Sequence, residues 1–297
     1  MGTRRSTLAQ AQTDYVCAKL KAAWPDLSVA VAHITTEGDR LAGALNSGSS
    51  KGLFTSALEE AMLKGTIDLA VHSLKDLPSA SSPGLRLGAI LGRATARDVL
   101  VSAGSWTIDT LPGNATVGTS SVRRRAQLKA YRPDLKVQPV RGNVDTRLKK
   151  MEAGEVDSLV LAQAGLLRLG VPHSQESVLP LSVMLPAPGQ GALAVQCRSE
   201  AADLIALLRA IDCPDVRRAA MAERAFLVAL GGGCATPVAA YAQVREDGSI
   251  RMQGAVASPD GQPVIRVAGE GRQAETLGNS LARDALRKGA AGVLRGS

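Results

Sequence analysis

Three short stretches combine arginine with hydroxyls or glycine where a strand-like run gives way to helical spacing. They are Thr3-Arg4-Arg5-Ser6, Gly118-Thr119-Ser120-Ser121-Val122-Arg123-Arg124-Arg125 and Arg141-Gly142-Asn143-Val144-Asp145-Thr146-Arg147. A helix N-terminus presents free backbone N–H groups and a partial positive charge, so it binds anions readily. Neighbouring hydroxyls add donors, and the guanidinium adds a planar fork matched to a carboxylate. In open α/β sheets, strand ends are where ligands bind. None of the three matches the phosphate loop GxxxxGK[ST], which favours a ligand with several carboxylates over a nucleotide. The plain alternative is that the Ser and Thr residues only cap helices and the arginines are solvated.

Two further places carry reactive groups. In Val71-His72-Ser73-Leu74-Lys75-Asp76-Leu77-Pro78 an apolar run ends in a polar cluster, and Pro78 blocks simple continuation into a helix. An acid emerging there, Asp76, can point into a cleft to stabilise positive charge or exchange a proton; a surface Lys-Asp turn is the competing reading. In Gly231-Gly232-Gly233-Cys234-Ala235-Thr236-Pro237 the glycines permit close approach to a ligand. Cys234 is thus the best nucleophile candidate, although no adjacent histidine could activate it. Cys17, Cys197 and Cys213 read as small buried hydrophobes.

The elements that must position these groups follow from periodicity. Helical spacing covers 7–22 through Leu8, Ala11, Tyr15, Val16 and Leu20, and a strand is expected at Ser28–Ile34. After the Gly/Ser-rich Gly43–Ser50, a helix is expected over Leu53–Leu63 and a buried strand over Ile67–His72. Strands at Asp98–Ser102, Ala115–Gly118, Leu135–Pro139 and Ser158–Ala162 alternate with helices starting near Ser121 and Asn143, which implies βα units and largely parallel sheets. The last third changes character. Helices at Ala201–Ile211 and Pro214–Leu230 precede strands at Val238–Val244, Ile250–Ala257 and Val264–Gly269, separated by Asp247-Gly248 and Asp260-Gly261 turns. A closing amphipathic helix over Gln273–Arg287 places Leu277, Leu281 and Leu286 on its apolar side. The expectation is two α/β lobes and one α+β domain.

Composition narrows the partners. The 297 residues suit two or three small domains, and 45% hydrophobic with 21% charged residues marks a packed globular chain. Two Trp, three Tyr and two Phe are too few for stacking-based recognition of single-stranded nucleic acid. The net charge of +8 is compatible with an anionic partner of any kind. No window approaches the roughly 18 apolar residues of a membrane span, and the start lacks the apolar stretch of a secretory signal. The scattered cysteines and histidines (His33, His72, His173) lack zinc-ligand spacing, so no metal is expected, and a reducing cytoplasm fits them better than a disulfide framework.

Taken together these segments resemble the porphobilinogen deaminase family. The matching stretches are Thr3–Ser6, Lys51-Gly52-Leu53-Phe54, Ala70–Pro78, Gly118–Arg124, Arg141–Leu148, Leu185–Arg198 and Ala222–Pro237; they run in the family's order over nearly the whole chain. The resemblance implies an enzyme that joins four porphobilinogen molecules head to tail, releasing ammonia each time, and then hydrolyses off hydroxymethylbilane. It implies a dipyrromethane primer held by a thioether at Cys234, which recasts that thiol from nucleophile to anchor. It makes Asp76 the catalytic carboxylate, stabilising the electron-poor azafulvene left by ammonia loss. Lys75, Thr119, Ser121, Arg123, Arg124 and Arg147 become cofactor contacts, and Arg4, Ser6, Gln12, Arg141 and Gln190 substrate contacts. It further implies two lobes of type II periplasmic-binding-protein type with a cleft, plus a C-terminal α+β domain with a small antiparallel sheet. The first lobe would take 1–96 and 191–212, the second 97–190, and the third domain 213–297. A monomer is implied, with the small-molecule substrate as partner rather than nucleic acid or membrane.

Two departures stand out. Only Met1-Gly2 precede Thr3 where the family has an apolar strand, so either the strand is shortened or the true start lies upstream. Asp145 stands where the family has glycine, placing an acid near an anion site. The different-class alternative is a non-catalytic solute- or effector-binding module on the same two lobes, which would need the arginines but neither Asp76 nor Cys234.

Overall fold

The computed structural model describes residues 1–36, 55–79, 82–171, 176–233 and 236–295. The Gly43–Ser50 stretch, Lys51–Phe54, His173 and Cys234 lie outside these residues.

The first sheet contains β1 (Gly2–Thr3), β2 (Ala32–His33), β3 (Leu69–Ser73), β4 (Leu85–Ile90) and β10 (Leu193–Arg198), in the order β2-β1-β3-β10-β4. The second contains β5 (Asp98–Ser102), β6 (Thr116–Gly118), β7 (Lys136–Gln138), β8 (Ser158–Ala162) and β9 (Glu176–Val178), in the order β7-β6-β8-β5-β9. The two orders are the same pattern, the one expected of paired type II periplasmic-binding-protein lobes. The sheets are mixed, however, rather than largely parallel. β1 runs parallel to β2 and β3, whereas β10 is antiparallel to β3 and β4. Likewise β6 is parallel to β7 and β8, and β5 is antiparallel to β8 and β9. The odd strand in each sheet is the one by which the chain enters from the other lobe. Local βα alternation cannot reveal that, because it arises from the long-range crossover.

Helices α1 (Thr7–Ala23), α2 (Ser56–Leu63), α3 (Val122–Tyr131), α4 (Val144–Glu152), α5 (Gln163–Leu169) and α6 (Ala202–Arg209) accompany these sheets. Val16 and Leu20 of α1 pack with Leu69, Val71, Leu193 and Val195 of the first sheet. Tyr15, at helical spacing with them, is instead exposed. The strand expected over Ser28–Ile34 pairs only at Ala32–His33.

The third unit follows the expected pattern most closely. β11 (Val238–Val244), β12 (Ile250–Ala257) and β13 (Val264–Gly271) form an antiparallel meander. α7 (Pro214–Ala229) and α8 (Ala274–Arg287) cover it, and α9 (Ala290–Arg295) closes the end. Phe226 is fully buried there, over Gly254, where an added Cβ would stand 2.6 Å from the ring. Leu277 and Leu281 join this core, whereas Leu286 faces outward. The meander's other face meets the second lobe: Ala239 and Ala255 pack on Leu185, and Ala240 N–H donates to the Pro186 carbonyl. No helix among the described residues is long and apolar enough to cross a membrane.

The two crossover segments lie side by side, with Ala94 N–H donating to the Gly191 carbonyl at 3.3 Å. Gly191 has φ +88°, and a Cβ on it would stand 2.1 Å from the Thr95 carbonyl oxygen. Backbone strain and a backbone clash therefore coincide at the hinge between lobes. Gly191→Ala is expected to cost at least about 2 kcal/mol. A thermal melt should show a midpoint several degrees lower; an unchanged midpoint would mean the crossover is looser than described.

Candidate functional site

β3 runs straight into a single 3₁₀ turn, Leu74–Asp76, at the centre of the first sheet's edge. The turn is anchored from below. Leu74 is fully buried, its N–H donates to the Ala192 carbonyl, and Gly189 lets it approach so closely that a Cβ would stand 2.9 Å from Leu74 Cγ. Gln12 Nε2 on α1 donates to Ser73 Oγ at 2.9 Å, tying the first helix to the same strand end. With Leu74 turned inward, Lys75 is half-buried and Asp76 is exposed.

Behind this turn lies a buried ionic cluster. Asp98, the first residue of β5, is fully buried, and its carboxylate receives two arginines. Arg123 Nη1 reaches Oδ2 at 2.8 Å; Arg124 Nη2 and Nε reach Oδ1 at 2.8 and 3.2 Å. Both guanidiniums also donate to backbone carbonyls, Arg123 to Leu185 and Arg124 to Val160. Gln190 Nε2 donates to Asp98 Oδ1 at 2.9 Å and to the Ala96 carbonyl at 2.7 Å, while its Oε1 accepts from Lys75 Nζ at 3.5 Å. Burial alone would raise the Asp98 pKa, but the two arginines outweigh it and hold the carboxyl at about 2. Lys75 is pushed down to about 8, by burial first and by Arg124 and Arg123 besides, against the pull of Asp76 and Asp98. Arg147 is also lowered, by burial and then by Arg124, with Asp76 opposing.

The helix N-termini behave in two ways at once. Ser6 Oγ accepts from Ala9 N–H at the start of α1, and Ser121 Oγ from Arg124 N–H at the start of α3. Thr119 Oγ1 accepts from Ser121 N–H. The capping reading is correct for these hydroxyls as acceptors. Each retains its O–H as a donor. The solvated-arginine reading is wrong for Arg123 and Arg124, which are 5% and 6% exposed. Arg147 Nε donates to the Gly142 carbonyl, closing the turn before α4, whereas Arg141 is exposed at that turn. Arg4 follows β1 and acts electrostatically on His72. Asp145 takes the first turn of α4, where a carboxylate suits the helix dipole.

Cys234 itself is not described, but both sides of it are held. Gly231, at φ +66°, and Gly232 fold back on the end of α7 through bonds to the Val228 and Leu227 carbonyls. Thr236 Oγ1 donates to the Gly233 carbonyl at 2.6 Å. Of the other thiols Cys197 is buried, while Cys17 and Cys213 are half-buried, so the small-hydrophobe reading fits only the first fully.

Sequence reasoning missed several residues. Asp98 was assigned only a strand position; a charged residue heading an apolar strand is a signal that a partner is needed, but the arginines lie about 25 positions away. Arg93 and Glu223 form a buried two-pronged ion pair, both contacts at 2.8 Å. Glu223 also accepts from Gly189 N–H at 2.6 Å and Ala242 N–H at 2.7 Å, so one carboxylate joins the crossover to the third unit.

The donor set suits a group carrying several carboxylates. Lys75, Arg123, Arg124 and Arg147 gather near Asp76 and Asp98, and the downward shifts at Lys75, Arg123 and Arg147 report crowded, partly desolvated cations that added anions would relieve. Fold and site thus define a two-lobed α/β protein with a cationic cluster of a kind suited to anions. Residues 1–206 match the family described as "Porphobilinogen deaminase, dipyromethane cofactor binding domain", and residues 217–287 match "Porphobilinogen deaminase, C-terminal domain". Porphobilinogen deaminases of Desulforudis audaxviator and Thermus thermophilus are 48% and 46% identical, each over 99% of this chain and over 96% and 97% of their own lengths. A solved amino-acid ABC transporter substrate-binding protein from Streptococcus pneumoniae aligns over 68% of this chain and 75% of its own, at 16% identity and a TM-score of 0.40, too distant to carry an argument. The chain belongs to the porphobilinogen deaminase family. Its activity is that of a transferase of tetrapyrrole biosynthesis, condensing porphobilinogen head to tail on a dipyrromethane cofactor with release of ammonia.

One buried group near the site predicts a pH dependence. His72, on β3, is 6% exposed, and its pKa falls to about 4, chiefly through burial and with Arg4 contributing, against Glu59 and Gln196. Between pH 6.5 and 4 the unfolded chain takes up a proton that the folded chain refuses, so stability falls as pH falls through that window, by roughly 3 kcal/mol in all. Asp98 titrates lower, between its ordinary value and about 2, and does not overlap. Melting midpoints across pH 7 to 4 should drop less steeply in His72→Gln than in the unaltered protein. Parallel curves would contradict the assignment.

Proposed function

We propose that the reaction is divided between Asp76 as the catalytic carboxylate, Cys234 as the cofactor anchor and the interlobe cations as carboxylate receptors. The observation that carries this reading is the placement of Lys75 and Asp76 on one tight turn directly against the Asp98–Arg123–Arg124 cluster. When bound, the dipyrromethane supplies the nucleophilic pyrrole carbon and the primer on which the chain grows. Asp76, at the exposed tip of the turn, offers a carboxylate to pyrrole N–H groups and stabilises positive charge as ammonia leaves the incoming substrate. The same oxygen can accept the proton released as the coupled ring regains aromaticity. Lys75, Arg123, Arg124 and Arg147, with Thr119 and Ser121 as hydroxyl donors, hold cofactor acetate and propionate groups. Arg4, Ser6, Gln12, Arg141 and Gln190 serve the incoming substrate; for Gln12 and Gln190 the support is indirect, since each orients a site element, Ser73 and Lys75 respectively.

The remaining expectations belong to the same reading. The lobes are 1–96 with 191–212, then 97–190, with 213–297 as the third domain, a division supported by the separate sheets. The protein acts as a cytoplasmic monomer on a small molecule, without nucleic acid or membrane as partner. Against nucleic acid as a partner, Arg123 and Arg124 turn inward onto Asp98 rather than along an exposed face.

The test is the intact mass combined with turnover, on protein from a heme-competent host. A covalent adduct of two pyrrole units is expected, absent from Cys234→Ser. Asp76→Asn should keep the adduct yet lose turnover by about a hundredfold or more. An unmodified chain would remove the anchor, and near-normal turnover in Asp76→Asn would remove the carboxylate from its role.

A further inference from the structure

The backbone just beyond Asp76 is held by one side chain from the third unit. Arg224, on α7, is 6% exposed. Its Nη1 donates to the Leu77 carbonyl at 3.1 Å, and its Nη2 donates to the Pro78 and Ser79 carbonyls at 2.6 and 3.1 Å. Three consecutive carbonyls thus converge on one guanidinium. They belong to a segment outside any helix or strand, and buried carbonyls of that kind need donors. Upstream, the turn is fixed by β10: Ser73 pairs with Leu193, and Leu74 N–H donates to the Ala192 carbonyl. Asp76 therefore sits between two clamps, one from its own sheet and one from α7.

The helix that supplies the second clamp also leads to the cysteine loop. α7 continues from Arg224 to Ala229 and passes through Leu230 into Gly231–Gly233. The preceding residue, Glu223, points about 100° away around the helix. It is locked by Arg93, Gly189 N–H and Ala242 N–H. Glu223 thereby fixes where α7 lies, and Arg224 uses that fixed helix to hold the Asp76 turn.

We propose that Arg224 is a positioning residue that sets the Asp76 carboxylate relative to α7, so that the acid keeps one place through successive additions. This rests on the reading of Asp76 as the catalytic carboxylate. Lysine in the same place keeps the charge and most of the stem, but its compact ammonium lacks the planar fork that spans three carbonyls. A small misplacement of a catalytic group is enough to cost up to about a hundredfold in rate.

The test compares Arg224→Lys, Arg224→Gln, Asp76→Asn and the Asp76→Asn/Arg224→Lys double variant as holoenzymes, by intact mass, kcat and KM. Arg224→Lys is expected to carry the full adduct, with kcat reduced about 10- to 100-fold and KM changed less than about threefold. In the Asp76→Asn background the same substitution should cost less than about threefold, because the arginine acts through that carboxylate. Arg224→Gln should behave as Arg224→Lys or worse. An unchanged kcat in Arg224→Lys, a loss confined to KM or to adduct loading, or an equal penalty in both backgrounds would overturn the proposal. Failure of both single variants to fold would also overturn it, making the arginine a structural strut. If Asp76→Asn turns over normally, the failure lies with the Asp76 reading. If Asp76→Asn is inactive and Arg224→Lys is normal, only the positioning claim falls.

Discussion

The carboxylate of Asp98, held between two arginines in the interior, is the interaction on which the rest of the site depends. A buried charge is tolerated only when paired and hydrogen-bonded, and deleting one partner of such a pair typically costs about 3–5 kcal/mol. Here a single anion serves two guanidiniums, so this three-residue cluster carries a net positive charge. The arginines are also aimed: their carbonyl contacts to Leu185 and Val160 leave each fork little freedom. Asp98 opens β5 immediately after the first crossover, and Gln190 brings the second crossover to the same oxygen. The junction of the two lobes and the arginine cluster are therefore one construction. That suits a reaction in which a chain of acetate and propionate groups lengthens inside a single cleft.

A second carboxylate repeats the logic at the third unit. Glu223 takes Arg93 from the first crossover, Gly189 from the second and Ala242 from β11. Because α7 is pinned there, the loop after it and the turn after Asp76 answer to one helix. Asp98 organises charge and Glu223 organises position. The Asp76 turn lies where the two meet.

Much of the fold was legible because its signals are local. β5, β8, β11 and β12 lie where apolar runs and turn dipeptides put them, and Ser121 and Asn143 start their helices. The antiparallel entry strands were not legible, since β5 and β10 acquire their direction from partners far off in sequence. Misplaced faces have the same origin: Tyr15 and Leu286 sit at helical spacing with buried residues, yet both are exposed among the described residues. For the site, residue types at strand ends pointed to Asp76, Arg123 and Arg124, because strand-to-helix turns advertise themselves, whereas Lys75 and Gln190 came only with the family resemblance. Asp98, Arg93, Glu223 and Arg224 were invisible for a physical reason. An acid or arginine in mid-pattern looks solvated until the fold supplies its buried partner, and each partner lies far off in sequence, about 25 positions for Asp98 and more than a hundred for Arg93, Glu223 and Arg224.

If Asp98 aims the arginines proposed to receive the cofactor, the consequence is read in the intact mass of purified Asp98→Asn from a heme-competent host. Asparagine keeps the shape but removes the charge that orders both guanidiniums. The expected result is a folded chain in which adduct of two pyrrole units falls to a small fraction of that in the unaltered protein. A fully loaded Asp98→Asn with ordinary turnover would contradict it.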